Sequence, residues 1–419
     1  MPAKKVRYAL PVAIVVMTAM GLAACSQAKY KVVRWDNSSP ACQFHETICV
    51  TTPTFKRLDY EADEMLITYD SEHSDEAANA VLKKYKLRAK RADNLDSIKT
   101  TMITAATNGQ DPEDLVKKIR KTEKEVDAST SNFFKTANLS TPRTSTYPLG
   151  MTGVPSVRER TTGKGIVIGM IDTPVDLDYG DTLLSPLIER VDLVPAGNEQ
   201  NRLHGTEVAG IMVSKNSRIG IAPDAKLVAI SAFSTNPNNP DERHSNSGLV
   251  ARALELAIKQ NVDVLNLSFA GGSDPIVDKL VAEAVSRGIV VVASAGNNGP
   301  NAQPAYPAAI PGVIAVTAVD SQEGLFGQAN RGDYIDLAAP GVGILTTAPR
   351  GAFQLSSGTS LATAHVSGVI ALLLSANRHA FSPEVLNRTA LDLGKLGRDV
   401  DFGFGLINTE QALRSIAVQ

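Results

Sequence analysis

The sequence predicts an α/β fold: a mainly parallel sheet with helices on both faces, preceded by a small α+β module. Three observations predict it. Near-continuous apolar runs recur at Ile166–Ile171, Leu227–Ser231, Val262–Leu267, Ile289–Ala293 and Val313–Thr317, as expected of strands covered on both faces. Segments of helical spacing, Gly248–Gln260, Pro275–Arg287 and Ser360–Leu374, fall between and after them, and that alternation gives a parallel sheet. Upstream, a shorter unit reads β-α-β-β-α-β, a ferredoxin-like plan.

The chain begins with Lys4, Lys5 and Arg7, an apolar run from Tyr8 to Leu22, and Ala23-Ala24-Cys25. This is the three-part pattern of an export signal, residues 1–24. The run is short for a spanning helix and contains Pro11. Leu22-Ala23-Ala24-Cys25 resembles the bacterial lipobox, which implies cleavage before Cys25, lipidation of its thiol and a membrane partner through the lipid. Ser26 then favours an outer membrane where the cell has one. The alternative is an ordinary signal peptide with a chance cysteine.

Residues 25–57 form the anchor and linker. They hold Cys42 and Cys49, the only other cysteines. In an oxidising compartment two near cysteines are expected to pair. His45 and Glu46 lie between them, too few ligands for a metal. No thiol nucleophile is available farther along. The 42 Lys and Arg nearly balance the 44 Asp and Glu, for a formal charge of −2, and give no reason to expect a nucleic acid. The basic run Lys83–Arg91 reads as a solvated helix face running into a strand.

Residues 58–137 form the small module. Strands are expected at Met65–Tyr69, Leu87–Arg91, Ile98–Ala105 and Val126–Phe134. A helix is expected at Glu76–Tyr85, with Ala78, Val81, Leu82 and Tyr85 on one face. A second helix starts at Asp111-Pro112-Glu113-Asp114: a cap, a proline in the first turn, then acids at the positive end. Residues 138–153 are rich in Thr, Ser, Pro and Gly and read as an exposed linker. The large domain is 154–419.

Four blocks in that domain carry chemistry. Asp172 follows the strand ending at Ile171, at the carboxyl end where sites of such sheets lie. His204-Gly205-Thr206 opens a helix with the small residues Ala209 and Gly210. Ser294-Ala295-Gly296-Asn297 ends a strand in a glycine turn. Gly358-Thr359-Ser360 leads into an apolar helix, where a serine either caps the helix or acts as a nucleophile facing its first N–H groups. Serine needs an adjacent base at neutral pH, and the base needs a partner that fixes its tautomer. Asp, His and Ser in this order on an α/β scaffold is the arrangement given for subtilisin among the general catalytic motifs.

On these blocks, and on Asn266-Leu267-Ser268, Tyr306-Pro307, Ala338-Ala339-Pro340-Gly341 and Phe402-Gly403-Phe404-Gly405-Leu406-Ile407-Asn408, the chain from about Gly150 onward resembles the subtilisin-like serine peptidases. The resemblance implies Ser360 as nucleophile, His204 as base and Asp172 as its orienting partner. It implies Asn297 and the Ser360 N–H as oxyanion donors. It implies that Ser247-Gly248 and Ser268-Phe269-Ala270-Gly271 flank an extended protein or peptide substrate. It also implies that Ala295, Gly296 and Ala305 line the pocket for the residue before the cut. The upstream module would be an inhibitory propeptide. No cofactor is required; calcium is common in the family, but no site for it is assignable here.

Four residues or stretches depart from the family. Ala364 stands for a proline, Leu361 for a methionine, and Ala305 for a glycine at the pocket base. Ile211–Ile219 is shorter than a common calcium loop, so that site is expected to be missing. The reading is an exported, lipid-anchored endopeptidase of the cell envelope, released if processing cuts it from its anchor. The alternative is a catalytically inactive binding protein of the same shape. An α/β-hydrolase esterase is disfavoured, since Ser360 lacks the Gly-x-Ser-x-Gly elbow.

Overall fold

The computed structural model describes residues 30–32, 55–57, 60–71, 76–136, 147–177, 187–195, 199–236 and 239–417. The export signal, Cys25, Cys42 and Cys49 lie outside them. The chain divides into two compact units, Met1–Ala62 and Asp63–Gln419. In the first, β1 (Tyr30–Val32) and β2 (Phe55–Arg57) pair antiparallel.

The small module contains β3 (Tyr60–Asp70), α1 (Glu76–Lys84), β4 (Arg88–Leu95), β5 (Thr100–Ala106), α2 (Pro112–Thr122) and β6 (Asp127–Thr136), in the expected order. The Asp111 carboxylate accepts from Asp114 N at 3.2 Å and caps α2, as its sequence demands. Alternation along β3 sends Met65, Ile67 and Tyr69 to the module's own core with Val81, Leu115 and Ile119. Leu66 goes to the other face, with Leu95 and Met102, into the large domain's core. The sheet is thus apolar on both sides. Ile98, expected in a strand, instead closes a 3₁₀ turn, Asp96–Ile98.

The segment expected to be linker as far as Gly153 is partly helical. It holds α3 (Tyr147–Met151), followed by α4 (Val154–Arg158). Leu149, Val154 and Val157 are buried in the main core, and that burial outweighs the local Gly and Pro content.

The large domain continues with β7 (Val167–Asp172), β8 (Ile188–Asp192), α5 (Glu199–Val213), β9 (Lys226–Ser231), β10 (Ser234–Asn236), β11 (Asn239–Asn246), α6 (Ser247–Lys259), β12 (Val264–Leu267), β13 (Phe269–Gly271) and α7 (Pro275–Ser286). After these come β14 (Val290–Ser294), β15 (Ile314–Val319), β16 (Leu337–Pro340), β17 (Ile344–Ala348), β18 (Ala352–Ser356), α8 (Thr359–Asn377), α9 (Pro383–Thr389) and α10 (Thr409–Ala417).

Its sheet has seven strands in the order β16-β15-β14-β12-β7-β9-β8, all pairs parallel. Ile168 and Met170 of β7 face the core that holds Val208 of α5 and Val366 of α8. Ile171 faces the core under α6 and α7, with Val250 and Leu280. The chain leaves β7 toward β9 on one side and reaches β12 on the other, so the topological switch point lies between β7 and β12. A site is expected above their carboxyl ends. Helix α8 is long and apolar enough to cross a membrane by composition, but it is the buried central helix of the domain.

Candidate active site

Asp172 ends β7 and is fully buried. Its Oδ1 accepts from Thr173 N at 2.6 Å and lies 2.6 Å from His204 Nδ1. Sequence reading starts the helix at His204; α5 in fact begins at Glu199, so the imidazole projects from its second turn. The close approach of α5 to the end of β7 depends on Gly205. A Cβ there would lie 2.2 Å from Thr173 O. The Gly205 N–H donates to Thr173 Oγ1 at 2.8 Å, locking the two segments together. With Nδ1 engaged by a carboxylate, Nε2 is the end of the ring left for chemistry. It is buried and has no hydrogen-bond partner among the described residues.

Ser360 lies in the first turn of α8 and is buried. Its hydroxyl does not cap the helix. It donates to Ser268 O at 2.9 Å, and Ser268 Oγ donates back to Ser360 O at 2.9 Å. The structure therefore joins Asp172 to His204 and Ser360 to Ser268, but makes no bond between Ser360 Oγ and His204 Nε2. Another buried histidine, His365 on α8, is excluded as the base. Its Nδ1 donates to Leu361 O at 2.8 Å, and burial pushes the imidazole down to about 4.

Asn297 follows the turn at Gly296, whose φ of 98° favours glycine. Its side-chain oxygen accepts from Thr359 Oγ1 at 2.7 Å and Thr359 N at 3.2 Å. Those two bonds fix which end of the amide is oxygen. The other end of the amide is therefore the NH₂ donor. Asn330 braces the same turn: its N–H donates to Gly296 O at 3.0 Å and its Oδ1 accepts from Asn298 N at 2.8 Å. The sequence motif names Asn297; it does not reveal Thr359 or Asn330 as its supports.

Beside this centre the chain lays its own strand. β6 pairs antiparallel with β13, setting Phe134, Lys135 and Thr136 against Gly271, Ala270 and Phe269. On its other edge Phe133, Phe134 and Lys135 pair with Asn246, Ser245 and His244 of β11. Of the residues expected to flank a substrate on this side, Phe269, Ala270 and Gly271 pair with β6. Ser247 and Gly248 are not the paired residues on the other edge; the pairing lies at His244–Asn246. Asn246 accepts from Leu249 N at 3.0 Å and caps α6, so Ser247 and Gly248 are already helical. Ser247 still touches the bound strand through Asn132 N, which donates to its Oγ at 2.8 Å.

Phe134 is fully buried. Its ring meets Phe269 edge-on at 5.7 Å, and Phe233 packs on Phe269 at 4.9 Å. Ala305 is buried, and a Cβ at Gly296 would lie 3.2 Å from the Ala305 methyl, so the two positions face each other across a narrow gap.

The loop after α5 carries one carboxylate, Asp224, which pairs with Lys215 at 2.9 Å. Its side chains are used in its own turns, with Asn216 Oδ1 accepting from Arg218 N and Ser214 Oγ from Asn216 N. Among the described residues, no three His, Cys, Asp or Glu side chains gather in a way that could hold a metal.

A buried Asp–His pair, a serine at a helix N-terminus and an oriented amide on a doubly covered parallel sheet define the class. The chain belongs to the subtilase family of serine peptidases, whose family model matches residues 163–405. It is 33% identical to subtilisin E of Bacillus subtilis (strain 168) over 258 residues, 60% of this chain and 66% of that one, just under two thirds. It is equally similar to the subtilisin of Bacillus pumilus over 258 residues, 92% of that protein. Among solved structures it resembles fervidolysin from Fervidobacterium pennivorans, a keratinolytic enzyme related to subtilisin. The TM-score is 0.73 at 26% identity, covering 85% of this chain and 61% of that one. That coverage exceeds what the chain from residue 163 onward supplies, so the likeness takes in upstream residues as well.

Proposed function

We propose that this chain is an exported, lipid-anchored serine endopeptidase, made with residues 58–137 as its own inhibitor and cut from them by its own Ser360. The observation that carries the reading is β6, held between β11 and β13 as a substrate would be and ending at Thr136, against Phe269. Ser268, the residue before Phe269, supplies the carbonyl that accepts the Ser360 hydroxyl. We infer that the bond cut is Ala137–Asn138, just beyond the described part of β6. A small residue before the cut agrees with a pocket made shallower by the Ala305 methyl. Membrane attachment rests on the sequence around Cys25 alone.

In the reaction Ser360 turns its hydroxyl from Ser268 O to His204 Nε2, a rotation about one side-chain bond. His204 takes the proton as Oγ attacks the carbonyl carbon. The imidazolium that forms is stabilised and held in register by Asp172. The developing oxyanion is met by the Asn297 NH₂ and the Ser360 N–H, donors already oriented before the reaction. His204 then protonates the leaving amine as the C–N bond breaks; water, giving its proton to the same base, attacks the acyl-enzyme ester, and the carboxylic acid product leaves as Ser360 Oγ is reprotonated.

Labelling with a fluorophosphonate tests this, since only an activated serine reacts. Wild type is expected to label and hydrolyse peptides, and Ser360→Ala to do neither. An intact, fully processed wild type that fails to label would favour the inactive binding protein instead.

A further inference from the structure

Glu207 is a buried carboxyl that the mechanism above does not use. It lies on α5 one turn beyond His204. Its Oε1 accepts a hydrogen bond from Gln354 Nε2 at 2.6 Å and a second, short one from Ser356 Oγ. Gln354 Nε2 also donates to Ser356 Oγ at 3.0 Å, closing a three-membered network. Both donors sit on β18, which runs through Ser357 and Gly358 straight to Thr359 and Ser360.

The rest of the hairpin docks on the same turn of α5. Thr346 Oγ1 donates to Glu207 O at 2.8 Å and Thr347 Oγ1 to Thr206 O at 2.7 Å, both from β17. Those bonds hold β17; the Glu207 carboxyl is what reaches β18. Burying a carboxyl carries a desolvation cost that an apolar residue of similar size would avoid. His204 and Arg243 are among the groups within its electrostatic reach.

We propose that Glu207 is a positioning residue for the hydrolysis, fastening the helix that carries His204 to the strand that delivers Ser360. The proposal rests on the reading of the site given above. It assigns the effect to the two accepted hydrogen bonds rather than to charge. Helix α8 also packs directly on α5; the Glu207 bonds fix how the strand leading into α8 meets α5, and a misplacement of about 1 Å can cost roughly 10²-fold in rate.

The test compares Glu207→Leu and Glu207→Gln in the full chain, with active sites counted by fluorophosphonate and wild type measured alongside. Wild-type activity in the same assay keeps the site assignment separate from this one. Glu207→Leu should lower kcat by about 10–100-fold with KM little changed. Glu207→Gln, whose amide oxygen accepts the same two bonds, should recover most of that loss. A Glu207→Leu enzyme with wild-type kcat would overturn the proposal, as would a loss confined to KM or a Gln variant as poor as the Leu variant. Should Glu207→Leu not accumulate, Ser356→Ala and Gln354→Leu probe the same contact from β18. Each should lower kcat, and the pair should be non-additive because they share one acceptor. Two donor variants with unchanged kcat would overturn the proposal.

Discussion

The Thr359 hydroxyl sits 2.7 Å from the Asn297 side-chain oxygen, tying the residue before Ser360, the proposed nucleophile, to the amide proposed to meet the oxyanion. Removing it leaves the amide oxygen held by the longer bond from Thr359 N. Thr359→Val should therefore lower kcat while leaving KM nearly unchanged, by up to the roughly 10²–10³-fold seen when an oxyanion donor is lost. Thr359→Ser keeps the oxygen and should retain most activity. Steady-state kinetics on a peptide substrate decide it; equal losses in both variants would assign the effect to packing.

In the proposed mechanism Asp172, His204 and Ser360 work as one unit, and their losses should then not multiply. Each alanine variant should abolish most hydrolysis, and Ser360→Ala/His204→Ala should be about as poor as the worse single variant. A double variant worse by the product of the two losses would contradict the assignment.

The Ala305 methyl packs close to Gly296, and the proposed pocket would be shallower for it. Wild type should prefer Leu, Met or smaller residues before the cleaved bond. Ala305→Gly should shift preference toward Phe and Tyr, by about 10–200-fold for changes of a methylene or so. A peptide-library profile led by aromatics in wild type would contradict this.

Burial pushes the Glu207 carboxyl above its ordinary 4.5, against the opposing pull of His204 and of its two donors. A carboxyl with a raised folded pKa binds its proton more tightly when folded. Its stabilisation is complete below the unfolded value and is lost as pH rises through the folded one. In a Ser360→Ala background, which avoids self-digestion, Glu207→Gln should therefore gain stability relative to its parent as pH rises above about 4.5. Denaturant melts at a series of pH values measure this; a gain that shrinks with pH would reverse the sign.

The parallel sheet and the positions of the four candidate blocks at strand and helix ends are legible because each lies in a short local pattern: an apolar run, or a motif at a strand or helix end. What was missed depends on distant partners. The polar run Asn239–Asn246 has no apolar alternation and is a strand because it pairs with β10 and β6. Glu207 reads as an ordinary helix residue until Gln354 and Ser356 arrive from β18. The Ser247-Gly248 assignment falls just past the paired residues because Asn246 caps the helix at that point. Tyr147–Met151 reads as linker because the core that buries Pro148 and Leu149 is assembled from far along the chain.

The central claim is that the chain cuts itself where β6 leaves the cleft. Sequencing the N-terminus of the purified C-terminal fragment, for wild type beside Ser360→Ala, tests it most directly. The account predicts a wild-type fragment beginning at Asn138, with the Ser360→Ala chain still joined to residues 58–137. Active wild type that keeps the module attached, or a Ser360→Ala chain cut at the same bond in the absence of any active copy, would contradict it.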